Sequence, residues 1–254
     1  VRRSLVPGLA LGLATLLTAC GSAGDTGPAP AASASASTAI TVVADPVAAV
    51  RQGFDRSLEQ TAKLDVLITA AGHRITMNSA VEPDTGRMTL HMLTPDPVTM
   101  VVTEDAVYIR QDESDGKPWL KLDRDRLRPE GQLAQGLDFR AQAGILGGVV
   151  SAERIGDGRY TGVADSEKAI AAAGSESQRA ILQRTFKVLK QKSVPFEATL
   201  DAEGRLTLLT YTFDTAAGAI RNELKLHSFG EPLAISAPQA SETEDATADV
   251  YRVF

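Results

Sequence analysis

The apolar positions change period along the chain, and each change marks an element. Val47, Val50, Phe54 and Leu58 recur at helical spacing, so residues 45–62 are expected to form an amphipathic helix. Asp45 would cap it and Pro46 would occupy its first turn. The period then falls to two. A strand begins at 64–71. In 73–81, Ile75 and Met77 alternate with Arg74, Thr76 and Asn78. In 87–93, Met88, Leu90 and Met92 lie opposite Arg87, Thr89 and His91. Val98, Met100 and Val102 share a face, Val107 and Ile109 continue it, and 119–122 follows. Turn residues separate these runs at 83–86, 94–97, 104–105 and 111–118. The pattern is that of an antiparallel meander with one apolar face per strand.

The middle of the chain reads as helical. One helix is expected over 132–146. Ser175 and Gln178 form a capping box that opens a second, running to about Gln191, with Ile181, Leu182, Thr185, Phe186 and Leu189 as its buried stripe. Strands resume at 194–200, turn at 201–204, continue over 205–213, and return at 220–229. Helices interrupting a sheet of neighbouring antiparallel strands make the class α+β.

Before this domain the pattern is different. Arg2 and Arg3 precede a mostly apolar run at 5–19. The run is too short to span a bilayer and has the layout of a secretory signal, expected over 1–19. It closes with Leu17-Thr18-Ala19-Cys20, which resembles the lipobox of bacterial lipoprotein precursors. That resemblance implies cleavage between Ala19 and Cys20 and a diacylglyceryl thioether on Cys20. The alternative is an ordinary signal peptide followed by an incidental cysteine. The lipobox reading places the mature protein at the cell membrane, lipid-anchored on the extracytoplasmic face. One acyl chain binds a membrane only marginally, whereas two or more on one cysteine hold firmly.

Cys20 is the single cysteine, so no disulfide can form within the chain and the core alone must hold the domain. Residues 21–38 are rich in Gly, Ala, Ser and Pro and read as a disordered tether spanning on the order of a few tens of ångströms, so 20–44 is taken as the flexible linker. The domain is expected over 45–240. Residues from about Ser241 to Asp249 are acidic and poor in apolar groups, so 241–254 reads as a loose tail. The full chain carries 26 basic and 32 acidic residues, a net charge of −6. Loss of Arg2 and Arg3 with the signal would make it −8. That balance argues against nucleic acid as a partner and against electrostatic adhesion to anionic lipid.

Candidate chemistry is sparse. There is no Gly-x-Ser-x-Gly elbow and no His-Glu-x-x-His, and the three histidines, His73, His91 and His227, fall on separate strand segments. Asp123 and Asp125 sit in a charged, turn-like run. Asp112 to Gly116 lacks the repeated ligands of a calcium loop. Gly147-Gly148 is not followed by the Lys-Ser or Lys-Thr of a phosphate loop. The sequence therefore points away from an enzyme, with no catalytic residue, metal or cofactor expected.

Several segments together resemble one family. They are Lys117-Pro118-Trp119-Leu120-Lys121-Leu122, Leu146-Gly147-Gly148 with Arg159-Tyr160-Thr161-Gly162, Val194-Pro195-Phe196 through Arg205-Leu206, and Phe229-Gly230-Glu231-Pro232-Leu233 with Pro238. Their order after a lipobox is similar to that in the LppX/LprG-type lipoproteins of actinobacteria, which share the LolA-like fold. The resemblance covers about 45–238. It implies a half-open antiparallel β-barrel covered on its concave face by helices, around an apolar cavity for the acyl chains of a lipid or glycolipid. It also implies a possible envelope transport partner, and it carries over no catalytic residue.

The residues add a weaker pointer of their own. All four methionines, Met77, Met88, Met92 and Met100, fall within three successive strands. Methionine is flexible and polarizable and suits irregular apolar surface. With Leu90, Val102 and Ile109 they are the candidate lining of such a cavity. Two readings stay open. In one, these residues contact a bound lipid that the protein carries or presents. In the other they merely pack a core, and the protein is a non-carrier surface lipoprotein acting as an interaction or sensing module.

Overall fold

The computed structural model describes residues 45–94, 97–111, 116–128, 131–187 and 192–253. The expected signal, Leu17, Thr18, Ala19, Cys20 and the linker lie outside the described residues, as do the calcium-loop likeness at 112–115 and Leu189. Twelve strands form one sheet: β1 (Ala62–Ala70), β2 (His73–Glu82), β3 (Arg87–Thr94), β4 (Val98–Val102), β5 (Ala106–Arg110), β6 (Trp119–Asp123), β7 (Val149–Arg154), β8 (Arg159–Asp165), β9 (Ser193–Leu200), β10 (Leu206–Thr215), β11 (Gly218–His227) and β12 (Thr243–Asp245). Their spatial order is β12-β6-β5-β4-β3-β2-β1-β11-β10-β9-β8-β7. Every neighbouring pair is antiparallel except β12 with β6. The architecture is thus a large, mostly antiparallel open sheet with few helices. It consists of two meanders, β1–β6 and β7–β11, joined where β1 pairs with β11.

Directly opposed residues of an antiparallel pair share a face, so the register defines rows of side chains. Ala62, Val81, Met88, Val102, Val107 and Leu122 form one row across six strands. Each is 2% exposed or less, and the row is a continuous strip of core. The next row on the same face holds Leu226, Leu64, Ser79, Leu90, Met100, Ile109 and Leu120. Within it Leu90, Met100 and Ile109 are only partly buried. A third row holds Leu209, Leu224, Val66, Met77, Met92 and Val98. Burial therefore falls along β2–β4 between the first row and the two rows beyond it.

Helix α1 spans Pro46–Ser57. Asp45 caps it by accepting the Val47 N–H at 3.0 Å, which satisfies one of the donors a helix start leaves open. Ala49, Val50, Gly53, Phe54 and Ser57 form its buried face, which packs on β7, β9 and β10. The helix stops before the expected Ala62. The Thr61 hydroxyl donates to the Glu231 carbonyl at 2.7 Å, and the Thr61 carbonyl accepts from Gly230 N at 2.9 Å. These bonds tie the chain to the 230–231 segment and release Ala62 to start β1.

The expected helix over 132–146 is broken into α2 (Gln132–Gly136) and a 3-10 segment, Phe139–Gly148. Asp138 recaps the chain between them by accepting Arg140 N–H at 3.1 Å. The 3-10 segment packs very closely on its neighbours. A Cβ at Gly148 would lie 2.2 Å from the Asp165 carbonyl oxygen. Within the expected helix, Gly144 serves close approach rather than helix propagation, since a Cβ there would lie 2.8 Å from Leu182 Cδ2. Two further helices follow, α3 (Ser166–Ala171) and α4 (Glu176–Phe186). Ser175 caps α4 as expected, its Oγ accepting Gln178 N–H at 3.0 Å, while the return bond of the box is shifted by one residue, Gln178 Oε1 accepting Gly174 N–H at 2.7 Å.

The acidic C-terminal segment is not loose. Thr243–Asp245 add to the sheet as β12, and Ala246 N–H donates to the Lys121 carbonyl at 2.8 Å. A last helix, α5 (Ala248–Val253), brings the Tyr251 hydroxyl to accept Asp123 N–H at 2.8 Å. The Arg126 guanidinium stacks 3.8 Å from the Tyr251 ring centre. Composition concealed this because a strand is held at a sheet edge by backbone hydrogen bonds, which acidic side chains facing solvent do not disturb.

Candidate functional site

The second meander continues the rows of the first. Ile68 on β1 stands opposite Asn222 on β11, and Asn222 stands opposite Tyr211 on β10. Above these residues the helical segments do not close down fully. A cavity of about 380 Å³ remains between Ile68, Met77, Tyr211 and Asn222 of the sheet and Gly136, Asp138, Ala141, Ile145, Ile181, Leu182, Arg184, Thr185 and Phe186 of the helical segments. Its walls are largely apolar, and its volume lies in the ~300–1,000 Å³ range of small-molecule sites. The α4 stripe read from the sequence supplies Ile181, Leu182, Thr185 and Phe186. The capping box fixes where that stripe starts, and hence which residues turn toward the sheet.

Two polar groups of the sheet face this space. The Asn222 side-chain nitrogen is buried and has no hydrogen-bond partner. The protein around Tyr211 pushes its phenol up to about 12, because the ionised form would lose its water. Tyr211 therefore stays protonated and neutral at physiological pH. Its ring stacks on Phe213 at 6.2 Å between centres.

The seven candidate lining residues separate. Met77 lines the cavity. Met92 stands opposite Met77 and Val98 and is half-buried. Leu90, Met100 and Ile109 form a partly buried run one row away. Met88 and Val102, at 2% and 1% exposed, are close-packed core with no free surface. Sequence reasoning missed Ile68, Tyr211 and Asn222. Asn222 had a readable signal, since it is the polar residue in the inward set Ile220, Leu224 and Leu226.

Other chemistry resolves into local structure. Asp123 Oδ1 accepts Asp125 N–H at 3.1 Å and caps the turn Arg124–Arg126. Among the described residues no group of three His, Cys, Asp or Glu is placed to hold a metal ion. One chain of contacts has the residue types of a hydrolase triad. His227 Nε2 is 3.2 Å from Asp65 Oδ2, and His227 Nδ1 is 3.1 Å from Ser228 Oγ. Asn78 donates to Asp65 Oδ1 at 2.6 Å. The Ser228 hydroxyl, however, also bonds Glu231, whose carboxyl is held below its usual range first by the Lys63 ammonium and then by Ser228. A serine hydroxyl has one proton to donate, and here it is directed at the Glu231 carboxylate rather than at His227. His227 and Asp65 side chains are also 38% and 42% exposed, far from the water-excluded setting in which such a group works. Among the described residues no helix is long and apolar enough to cross a membrane.

No protein-family model and no curated protein matches the chain. Among solved structures, similar chains include an uncharacterized conserved protein of Thermus thermophilus, at 12% identity over 78% of this chain and 97% of that chain, with a TM-score of 0.41. The Mycobacterium tuberculosis lipoprotein LppX is 14% identical over 75% of this chain and 97% of its own, with a TM-score of 0.41. A LolA-superfamily protein of Nitrosomonas europaea is 11% identical over 74% of this chain and 92% of its own, with a TM-score of 0.31. The neighbours thus include the family that the sequence resembles. Identities and superpositions are low throughout, and the fold stands on the strand order and register given above.

Proposed function

We propose that this protein is a membrane-tethered lipoprotein that binds an acylated lipid or glycolipid and carries or presents it at the cell envelope. The observation that carries the reading is the largely apolar cavity between the β1/β2/β10/β11 floor and α4. In this reading the helical segments cover the concave face of a half-open barrel. An acyl chain enters between them and the sheet, and each Å² of apolar surface taken from water contributes about 25 cal/mol. Met77 belongs to the cavity wall and pairs with Met92, so the run Met92, Leu90, Met100 and Ile109 extends the apolar surface beyond the cavity. The polar head stays outside, and release requires an acceptor membrane or an envelope partner.

Residues 1–19 are the removed signal in this reading, 20–44 the tether and 45–240 the binding domain. Cys20 carries the anchoring lipid on the extracytoplasmic face of the cell membrane. Replacing it, Cys20→Ser, abolishes labelling by a clickable fatty acid, and labelling that persists refutes the anchor. For the binding role, the full chain in its Cys20→Ser form is purified without harsh detergent and weighed by native mass spectrometry. The expected result is a lipid adduct, or saturable uptake when phospholipids and glycolipids are supplied. A chain that stays ligand-free under both conditions is instead a non-carrier surface module, the reading that the close packing of Met88 and Val102 favours.

A further inference from the structure

A buried amide nitrogen without an acceptor is costly, and native interiors rarely leave one. Asn222 breaks that rule on the cavity floor. Its Cα partners are Ile68 and Tyr211, both of which also line the space. Leucine at this position would continue the apolar set of β11, in which Leu224 and Leu226 are 3% and 1% exposed. A buried amide nitrogen without an acceptor on the cavity floor describes a ligand that brings its own hydrogen-bonding group inside.

We propose that the Asn222 side-chain amide donates a hydrogen bond to the carbonyl oxygen of a ligand acyl ester, so that the cavity selects acyl esters over ethers of the same chain length. This inference rests on the lipid-binding reading above and names the chemistry that the site recognises. An ester carbonyl is a strong acceptor. Placed in an apolar cavity, it loses its water and needs a donor in exchange. The Asn222 nitrogen is such a donor. The carboxamide does not ionise, and Tyr211 beside it remains neutral, so neither adds a charge to the cavity. A saturated hydrocarbon would fill the same space and leave the nitrogen unpaired, and a dialkyl ether would offer it a weaker acceptor than a carbonyl. The acyl group therefore enters with its ester end at Asn222 rather than with the ester held at the water interface.

The test uses the full chain in its Cys20→Ser form. It is titrated with vesicles containing dipalmitoyl phosphatidylglycerol or its dihexadecyl ether analogue, and transfer of lipid to the protein is read by native mass spectrometry. The wild type is expected to take the ester lipid about tenfold better than the ether, the value of one buried hydrogen bond gained. Asn222→Leu is expected to bind both lipids alike, and to raise the melting temperature of the ligand-free protein because it removes an orphaned polar atom. Equal uptake of ester and ether by the wild type overturns the role of Asn222 and leaves lipid binding standing. Uptake of neither overturns both. A lower melting temperature in Asn222→Leu also counts against the proposal, since it means that the amide has a structural partner. The wild-type comparison needs no variant, so the proposal remains falsifiable if Asn222→Leu does not fold.

Discussion

Two residues of the same row behave differently because their neighbours differ. Tyr211 and Asn222 face each other across β10 and β11, one proton-bearing by burial and one without a partner. For Tyr211 the consequence is a pH dependence. The unfolded chain ionises its phenol near 10, whereas the folded protein holds it at about 12. Between those values the unfolded form releases a proton that the folded form keeps. The stabilisation is complete below pH 10 and is lost as pH rises toward 12, by about 2–3 kcal/mol at most. Urea unfolding of the wild type is expected to show this loss, and Tyr211→Phe to show a smaller one. An equal loss in both would mean that the phenol is well solvated in the folded state. Burial also explains what the sequence revealed of the lining. Alternation put Met77, Met88 and Met92 on the inward face correctly, but alternation fixes a face and not a depth. Met88 is sealed by Val81 and Val102, whereas Met77 and Met92 lie two rows farther along the strands, where cover is thinner.

Elements with a one-sided apolar pattern were legible, and those without were not. The strands β1–β6 and β9–β11 and the helices α1 and α4 follow from period and caps. β7 was not visible: only Val149 of its six residues is fully buried, and Val150 is 42% exposed. β8 contains Gly162, whose use is close approach rather than turning. A Cβ there would lie 2.1 Å from the Ser151 carbonyl oxygen and 2.8 Å from Phe196 Cζ. Gly162→Ala must therefore push β7 away or tilt the Phe196 ring, at a cost of about 1–3 kcal/mol. Thermal unfolding should show the lower melting temperature. An unchanged one would mean that β7 yields freely at this edge of the sheet.

At the scale of the whole molecule, the two ends of the sheet are treated differently. β7 ends it on one side with its outer edge unpaired by any described strand. On the other side the C-terminal segment covers β6, and Ala246, Val250 and Tyr251 pack against the main core. Truncation after Pro238 would uncover the β6 edge, the kind of surface that recruits another chain. The expected result is a melting temperature lower by roughly 4–8 °C, corresponding to about 2 kcal/mol, and faster aggregation. Unchanged melting and solubility would make the segment dispensable. None of this was legible in the acidic composition of 241–254, because the pairing is between backbones.

The cavity is the feature on which the function turns, and it too is a property of the whole molecule, since its floor comes from both meanders and its roof from the 3-10 segment between them and from α4 within the second. Photo-crosslinking tests it directly. A phospholipid with a diazirine in one acyl chain is loaded onto the full chain in its Cys20→Ser form, irradiated, and the adducts are mapped by peptide mass spectrometry. The account predicts crosslinks to Met77 on β2, to Ile181 or Leu182 on α4, and to the 3-10 segment near Ile145. Crosslinks confined to the outer face of the sheet, or none at all above background, would contradict it.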